Sequence, residues 1–162
     1  MHSMPILTIE TAERLLKQLE DYLEHSEATF ALIIDHGGAI LSQSGEIPSS
    51  MDPTIFGALA AGSFAATREL ALRIGETEFS ALHQQGKRSQ IYLSSIGEYA
   101  MLVTIFGPKT TLGLVRFYSA SAVKRIAAEL KRASTQERIP IDLGSEVVHA
   151  AFEVFKEPSN RS

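Results

Sequence analysis

The segment from Gly57 to Ala66 reads Gly-Ala-Leu-Ala-Ala-Gly-Ser-Phe-Ala-Ala, and eight of its ten residues are small. It follows Asp52 and Pro53, an N-cap residue type and a residue favoured in the first turn, which together predict a helix start. Glycine in a helix interior is about 1 kcal/mol less favourable than alanine. Two glycines in this helix therefore predict that another segment approaches it closely.

The helical period of about 100° per residue divides this segment into two faces. Large apolar residues share one face, which we predict to be buried against a sheet: Ile55, Phe56, Leu59, Leu70 and Ile74. The opposite face, which we predict to be exposed, holds Gly57, Ala58, Ala61, Gly62, Ala65, Arg68 and Leu72, with Phe64 at its rim. A smooth, mostly uncharged surface suits contact with another helix or protein. The chain is therefore predicted to act through its surface rather than through a catalytic pocket.

Composition narrows the function classes. The chain has 162 residues, 44% hydrophobic and 21% charged, which is enough for one domain with a substantial core. A net charge of −4 argues against nucleic-acid and anionic-membrane binding. The main basic cluster, Lys124, Arg125, Lys131 and Arg132, is predicted to be the solvated face of a late helix. No apolar run approaches the roughly 18 residues of a membrane span, so a cytoplasmic location is predicted.

Periodicity and turn signals give the order of elements. We predict a helix over 8–27, a hairpin of strands 29–35 and 39–44, and a helix over 52–75. Strands 78–85, 88–96 and 99–106 follow, then a helix over 112–133 with an uncertain start near 118–121, and a short helix over 146–157. Val115, Ile126 and Leu130 are the predicted core contacts of the late helix. The predicted fold is α+β: one five-stranded antiparallel sheet between helices, in the order α-β-β-α-β-β-β-α plus a C-terminal helix.

Signals for catalysis or cofactor binding are weak. The absence of cysteine excludes disulfides, thiolate nucleophiles and zinc–thiolate sites. The five histidines, His2, His25, His36, His83 and His149, lack the spacing of metal ligands. Asp35 ends a strand beside a tight turn and is expected to hydrogen-bond into that turn rather than to act as a catalytic carboxylate. The segment 107–111 lacks the upstream glycine of a phosphate-binding loop. No catalytic residue, metal or cofactor is predicted.

Four segments in order carry a resemblance to a known family: 30–41 (FALIIDHGGAIL), 60–67 (AAGSFAAT), 97–106 (GEYAMLVTIF) and 112–116 (LGLVR). With them, the chain over about 8–133 resembles the Roadblock/dynein light chain family, and within it the bacterial MglB-like proteins. The predicted organisation is an N-terminal extension at 1–7, a Roadblock-like domain at 8–137, and a C-terminal extension at 138–162 with an amphipathic helix.

The resemblance implies a homodimer whose middle helices lie side by side on one face of a sheet shared by two subunits. It also implies that this face binds a small Ras-like GTPase of the MglA type and stimulates its GTP hydrolysis, in bacterial polarity or motility and concentrated at a cell pole. Ala58, Ala61, Gly62, Ala65 and Arg68 are the candidate contacts, with Phe64 as a docking anchor or a filler of the dimer seam. Ala61→Arg or Ala65→Arg is predicted to abolish GTPase binding without unfolding the protein.

Three questions stay open from the sequence. The C-terminal helix carries an apolar stripe that contacts either the GTPase or its own domain: Val147, Val148, Ala151, Phe152, Val154 and Phe155. The dimer is alternatively a scaffold that binds a GTPase or another protein without stimulating hydrolysis. A third alternative is a small-molecule sensor, which requires a cavity, whereas the predicted burial of Ile55, Phe56, Leu59 and Phe79 indicates a filled core.

Overall fold

The computed structural model describes residues 6–137. Its five strands form one sheet in the order β2-β1-β5-β4-β3, with every neighbouring pair antiparallel. The strands are β1 (Phe30–Asp35), β2 (Ile40–Gly45), β3 (Ala81–Gln85), β4 (Gln90–Ile96) and β5 (Ala100–Phe106). The helices are α1 (Ile9–Ser26), α2 (Pro53–Arg73) and α3 (Leu112–Glu137). The predicted α+β fold and the order of these eight elements are confirmed.

One face of the sheet is covered by α1 and α3. The N-terminus of α1 is capped by the Thr8 side chain, which accepts a hydrogen bond from the Thr11 amide. Buried apolar side chains from both helices and the sheet form the core here: Leu15, Leu19, Tyr22, Ala31, Ile33, Ile96, Ala100, Leu102, Ala122, Ile126 and Leu130. Val115 is also buried, so the three predicted core contacts of α3 are confirmed. The helix runs without interruption through 118–121.

A polar pair lies within this core. The Tyr22 hydroxyl is hydrogen-bonded to Oγ1 of Thr104 on β5, at 2.8 Å, and both residues are buried. Burial disfavours the phenolate and raises the pKa of Tyr22 to about 12. The neutral phenol of Tyr22 therefore joins α1 to β5, the central strand of the sheet.

The other face is covered by α2, which begins at Pro53 after the Asp52 N-cap. Its buried residues are Gly57, Ala60, Ala61 and Phe64, and they pack on apolar side chains of β1, β4 and β5. The rings of Phe64 and Phe79 lie 5.0 Å apart between centroids. Every residue of β5 is buried, as a central strand between two helical layers requires.

Helix α2 is also unusually apolar for a helix with so much exposed surface. An 18-residue window within it has a mean hydropathy of 1.2, so by length and composition alone it could cross a membrane. This departs from the sequence prediction, which considered only uninterrupted apolar runs. Only 22% of that window is buried. Most of the apolar surface of α2 is therefore exposed in the single subunit.

Candidate protein-interaction surface

The predicted orientation of α2 is wrong. Gly57, Ala61 and Phe64, which we expected on or at the rim of the exposed face, are buried against the sheet. Four of the large residues expected inside are exposed instead: Ile55, Leu59, Leu70 and Ile74. Phe56, the fifth, is half-buried and packs on the core. Ala61→Arg would therefore force a charge into the core and disrupt the fold, contrary to the sequence prediction.

Close approach of the β1–β2 turn explains why small residues face inward. A Cβ added at Gly57 would lie 2.9 Å from the Gly38 carbonyl oxygen, and one added at Gly38 would lie 2.6 Å from Cα of Ala58. Gly38 also has a φ of +89°, which glycine adopts readily. The turn itself is held by Asp35, whose Oδ1 accepts hydrogen bonds from the amides of Gly37 and Ala39, each at 2.9 Å. The structural role expected for Asp35 is confirmed.

Gly62 has a different environment from Gly57. A Cβ added at Gly62 meets no atom of the described residues within 4 Å, apart from the neighbouring backbone of its own helix. No contact with residues 6–137 of the same subunit therefore accounts for a glycine at this interior position of α2. Because glycine disfavours helix, an open site of this kind is what a closely approaching partner would require.

The residues around Gly62 form an apolar surface, which we call the outer strip: Ile55, Leu59, Gly62, Ala66 and Leu70. Ile55 is 60% exposed, and Leu59 and Leu70 are each 66% exposed. Their spacing of three and four residues aligns them along one side of the helix. Large apolar side chains at this exposure are typical of a surface that another protein covers.

A second exposed surface lies about 100° around the helix axis from the outer strip. We call it the small-residue strip: Ala58, Ala65, Arg68 and Leu72. All four residues are exposed, as is Gly62, which the sequence analysis grouped with them. Arg68 forms no ion pair with any residue among 6–137, so its charge is available to a ligand or partner. The binding role of these positions stays a prediction.

A half-open groove of about 690 Å³ borders the small-residue strip. Arg68 and Phe64 of α2 form one wall, and Phe79, Glu98 and His36 contribute to the others. His36 is held in place by donating from Nε2 to the Glu98 carbonyl oxygen at 2.5 Å, which ties the β1–β2 turn to the β4–β5 turn. The sequence pattern does not predict this groove, because its walls come from segments that are distant along the chain.

Two further sequence predictions concern metal ligands and the C-terminal helix. Between residues 6 and 137, no group of three or more His, Asp or Glu side chains is arranged to hold a metal ion. His83 instead hydrogen-bonds to Gln90 at 2.7 Å, between neighbouring strands. The predicted contacts of the C-terminal helix lie outside the described residues: Val147, Val148, Ala151, Phe152 and Phe155.

The sequence profile of the Roadblock/LC7 domain matches residues 14–106, which is more than half of the chain. The chain belongs to the Roadblock/LC7 domain family. The matched stretch lies inside the domain predicted at 8–137. Membership places the chain among regulatory, non-enzymatic domains, and it confirms the family resemblance found in the sequence.

Solved structures narrow the similarity to MglB. The gliding protein MglB of Thermus thermophilus is 30% identical and superposes with a TM-score of 0.75, over 82% of this chain and 99% of that one. An MglB structure with a tetrameric arrangement is also 30% identical, with a TM-score of 0.76 over 82% of this chain and 99% of that one. Myxococcus xanthus MglB is 26% identical, with a TM-score of 0.72, over 79% and 96% of the two chains. The chain is therefore an MglB-like member of its family.

Proposed function

We propose that this Roadblock-family protein is a homodimer that binds a small Ras-like GTPase of the MglA type and stimulates its GTP hydrolysis. The exposed side of α2 is the observation that carries the proposal. Its surface is too apolar for an isolated subunit, and Gly62 lies open at its centre. The GTPase itself is implied by the similarity to MglB.

The two strips on α2 suit two different partners. The outer strip, with Ile55, Leu59 and Leu70, has the large apolar side chains of a permanent interface, so we assign it to the second subunit. Apart from Leu72, the small-residue strip has little apolar bulk, and its cation, Arg68, forms no ion pair with residues 6–137, which suits a transient partner. Two adjacent strips on paired helices would give the GTPase one continuous docking surface built by both subunits.

The chemistry in this proposal belongs to the GTPase. Stimulation then works by arranging the catalytic groups of the GTPase, as the family resemblance implies. Arg68 is exposed and close to the groove, and we assign it a contact at the rim of the interface rather than a role in the reaction. The location of the complex at a cell pole is part of the same proposal.

GTP hydrolysis by an MglA-type GTPase from the same genome, with and without this protein, tests the proposal. Ala65→Arg should abolish the stimulation, because it places a long cation on the small-residue strip while leaving the buried face of α2 unchanged. Ala120→Arg, at an exposed position on α3, is the matched control and should stimulate like the wild type. Stimulation by Ala65→Arg at the wild-type rate would show that the GTPase does not dock on this strip.

Binding, nucleotide-exchange and unfolding measurements on the same two proteins test two of the alternatives left open by the sequence. Binding without acceleration of hydrolysis would favour a scaffold. Truncation after Leu143 tests the C-terminal stripe: a changed rate of nucleotide exchange would assign it to the GTPase. An unchanged exchange rate together with a lower unfolding temperature would assign the stripe to its own domain.

A further inference from the structure

The face formed by α1 and α3 lies on the opposite side of the sheet from α2, and the proposed function does not use it. The two helices run antiparallel, because Arg14 of α1 pairs with Glu129 of α3 at 3.7 Å and His25 contacts the Tyr118 ring at the other end. These two contacts fix which residues of the helices lie level with each other. Glu13 is level with Lys131 and Glu20 with Lys124, each to within about one residue.

The outer side of α1 is acidic. Glu13, Glu20 and Glu24 are exposed and point away from the buried side of the helix, which holds Leu15, Leu19 and Tyr22. None of the three carboxylates forms an ion pair with a residue among 6–137. The neighbouring Lys17 does not cancel this charge, because it already pairs with Asp21 at 3.5 Å.

The outer side of α3 is basic. Lys124, Arg125 and Lys131 are exposed, and in the described part of the chain none of them has an acidic partner. This agrees with the solvated basic face that the sequence predicts for these residues. Arg132, the fourth member of the predicted cluster, pairs with Glu10 of α1 at 3.8 Å and with Glu129 of its own helix at 3.2 Å. Phe117 adds a large apolar side chain that is 70% exposed near the start of α3, where its ring meets that of Tyr118 edge-on.

The spacing of the opposite charges matches. Glu13 and Glu20 are seven residues apart, as are Lys124 and Lys131. Seven residues are close to two helical turns, so each pair projects from one side of its helix with a separation of about 10 Å. Each acidic position is also level with a basic one. Each helix is therefore complementary to the other in sign, spacing and level.

We propose that the α1–α3 face binds the same face of a second copy of this chain, with α1 of each copy over α3 of the other. A two-fold axis parallel to the helices produces this arrangement. Rotation about such an axis leaves the position of every residue along the helix direction unchanged. Glu20 then meets Lys124 of the second copy, and Glu13 meets its Lys131. Every contact occurs twice, as a self-complementary interface requires. The contact is separate from the α2 surface and links dimers into larger assemblies.

The charge pattern favours a second copy over an unrelated partner. An acidic partner would be attracted to α3 and repelled by α1, and a basic partner would experience the reverse. A second copy satisfies both helices at once. Between the charged positions, the half-exposed Leu16 lies at the level of the exposed Ala128, so the second copy also covers apolar surface at the centre.

Sedimentation velocity on the full chain tests the proposal, over a range of protein concentrations and at about 0.05 M and about 0.5 M salt. The wild type should form a species larger than the dimer at low salt and lose it at high salt, where charges are screened beyond a few ångström. Glu20→Lys and Lys124→Glu should each weaken this association by about tenfold or more, because each replaces two attractive contacts with two repulsive ones. The double variant Glu20→Lys/Lys124→Glu should restore it, since the opposite signs meet again.

Controls keep the outcome specific to this face. Lys87→Glu, in the exposed β3–β4 turn, makes the same charge change as Lys124→Glu and should leave the association unchanged. Leu59→Asp, on the outer strip, should remove the α2 dimer and leave a salt-dependent dimer through the α1–α3 face, so the two interfaces fail independently. A wild type that never exceeds the α2 dimer would overturn the proposal and leave the face to the C-terminal segment or another protein. A double variant no better than the single ones would overturn it as well.

Discussion

Gly57 and Gly62 lie in the same helix, five residues apart, and their environments predict opposite responses to alanine. Both substitutions gain about 1 kcal/mol of helix propensity. At Gly57 the new Cβ would lie 2.9 Å from the Gly38 carbonyl oxygen and 3.4 Å from Cγ2 of Ile34. At Gly62 it would meet no atom of residues 6–137 within 4 Å, apart from the neighbouring helix backbone. In the single subunit, the difference between the two variants therefore reports the contact between α2 and the β1–β2 turn.

Overpacking of this kind costs about 1 to 3 kcal/mol, and at Gly57 a backbone carbonyl has little freedom to move away. We expect the unfolding free energy of Gly57→Ala to be about 1 to 3 kcal/mol below that of Gly62→Ala. Urea unfolding of both variants, followed by circular dichroism at a protein concentration low enough to dissociate the dimer, measures this difference. Equal stability would refute the close approach of the turn to the helix.

Gly62→Ala has a second expected effect on association. If α2 of a second subunit packs closely at Gly62, the added methyl group weakens the dimer while the single subunit becomes more stable. Unfolding experiments at several protein concentrations separate the two effects, because only the dimer contribution depends on concentration. A variant that is stabilised equally at every concentration would show that no partner approaches Gly62.

Two further predictions concern the buried tyrosine and the β1–β2 turn. The pKa of Tyr22 is near 10 in the unfolded chain and about 12 in the folded one, so the unfolded state loses its proton first and the unfolding free energy falls by about 2 to 3 kcal/mol as the pH rises between these values. Urea unfolding against pH should show this fall in the wild type and not in Tyr22→Phe. Equal slopes in the two proteins would contradict the burial of Tyr22. Asp35→Ala removes the acceptor of two amide hydrogen bonds and should lower the unfolding free energy by about 1 to 2 kcal/mol, whereas Asp35→Asn keeps one acceptor oxygen and should lose less. Thermal unfolding of the two variants measures both losses. A larger loss in Asp35→Asn would contradict the role of Asp35 in the turn.

Elements with strong local signals could be predicted from the sequence. The Asp52-Pro53 pair marks the start of α2, and the Gly37-Gly38 pair marks the β1–β2 turn, and both are where the local chemistry predicts them. The role of Asp35 could be predicted for the same reason, since its hydrogen bonds reach only two and four residues along the chain. The groove beside α2 could not be predicted, because it depends on how His36, Arg68 and Glu98 meet from three distant segments.

The rotation of α2 away from its predicted orientation has a physical cause that follows from its two contact surfaces. The periodicity rule assigns the larger apolar side chains to the core, which holds when a helix has one buried face. Here the β1–β2 turn comes so close to the helix that only Gly57 fits beneath it, so small residues face the sheet and Ile55 and Leu59 face outward. A helix with apolar residues on both sides, one set small and the other large, is expected where one side packs on its own sheet and the other on a second subunit. The two glycines are then explained separately: Gly57 leaves room for the β1–β2 turn of its own subunit, and Gly62 leaves room for α2 of the second subunit in the proposed dimer.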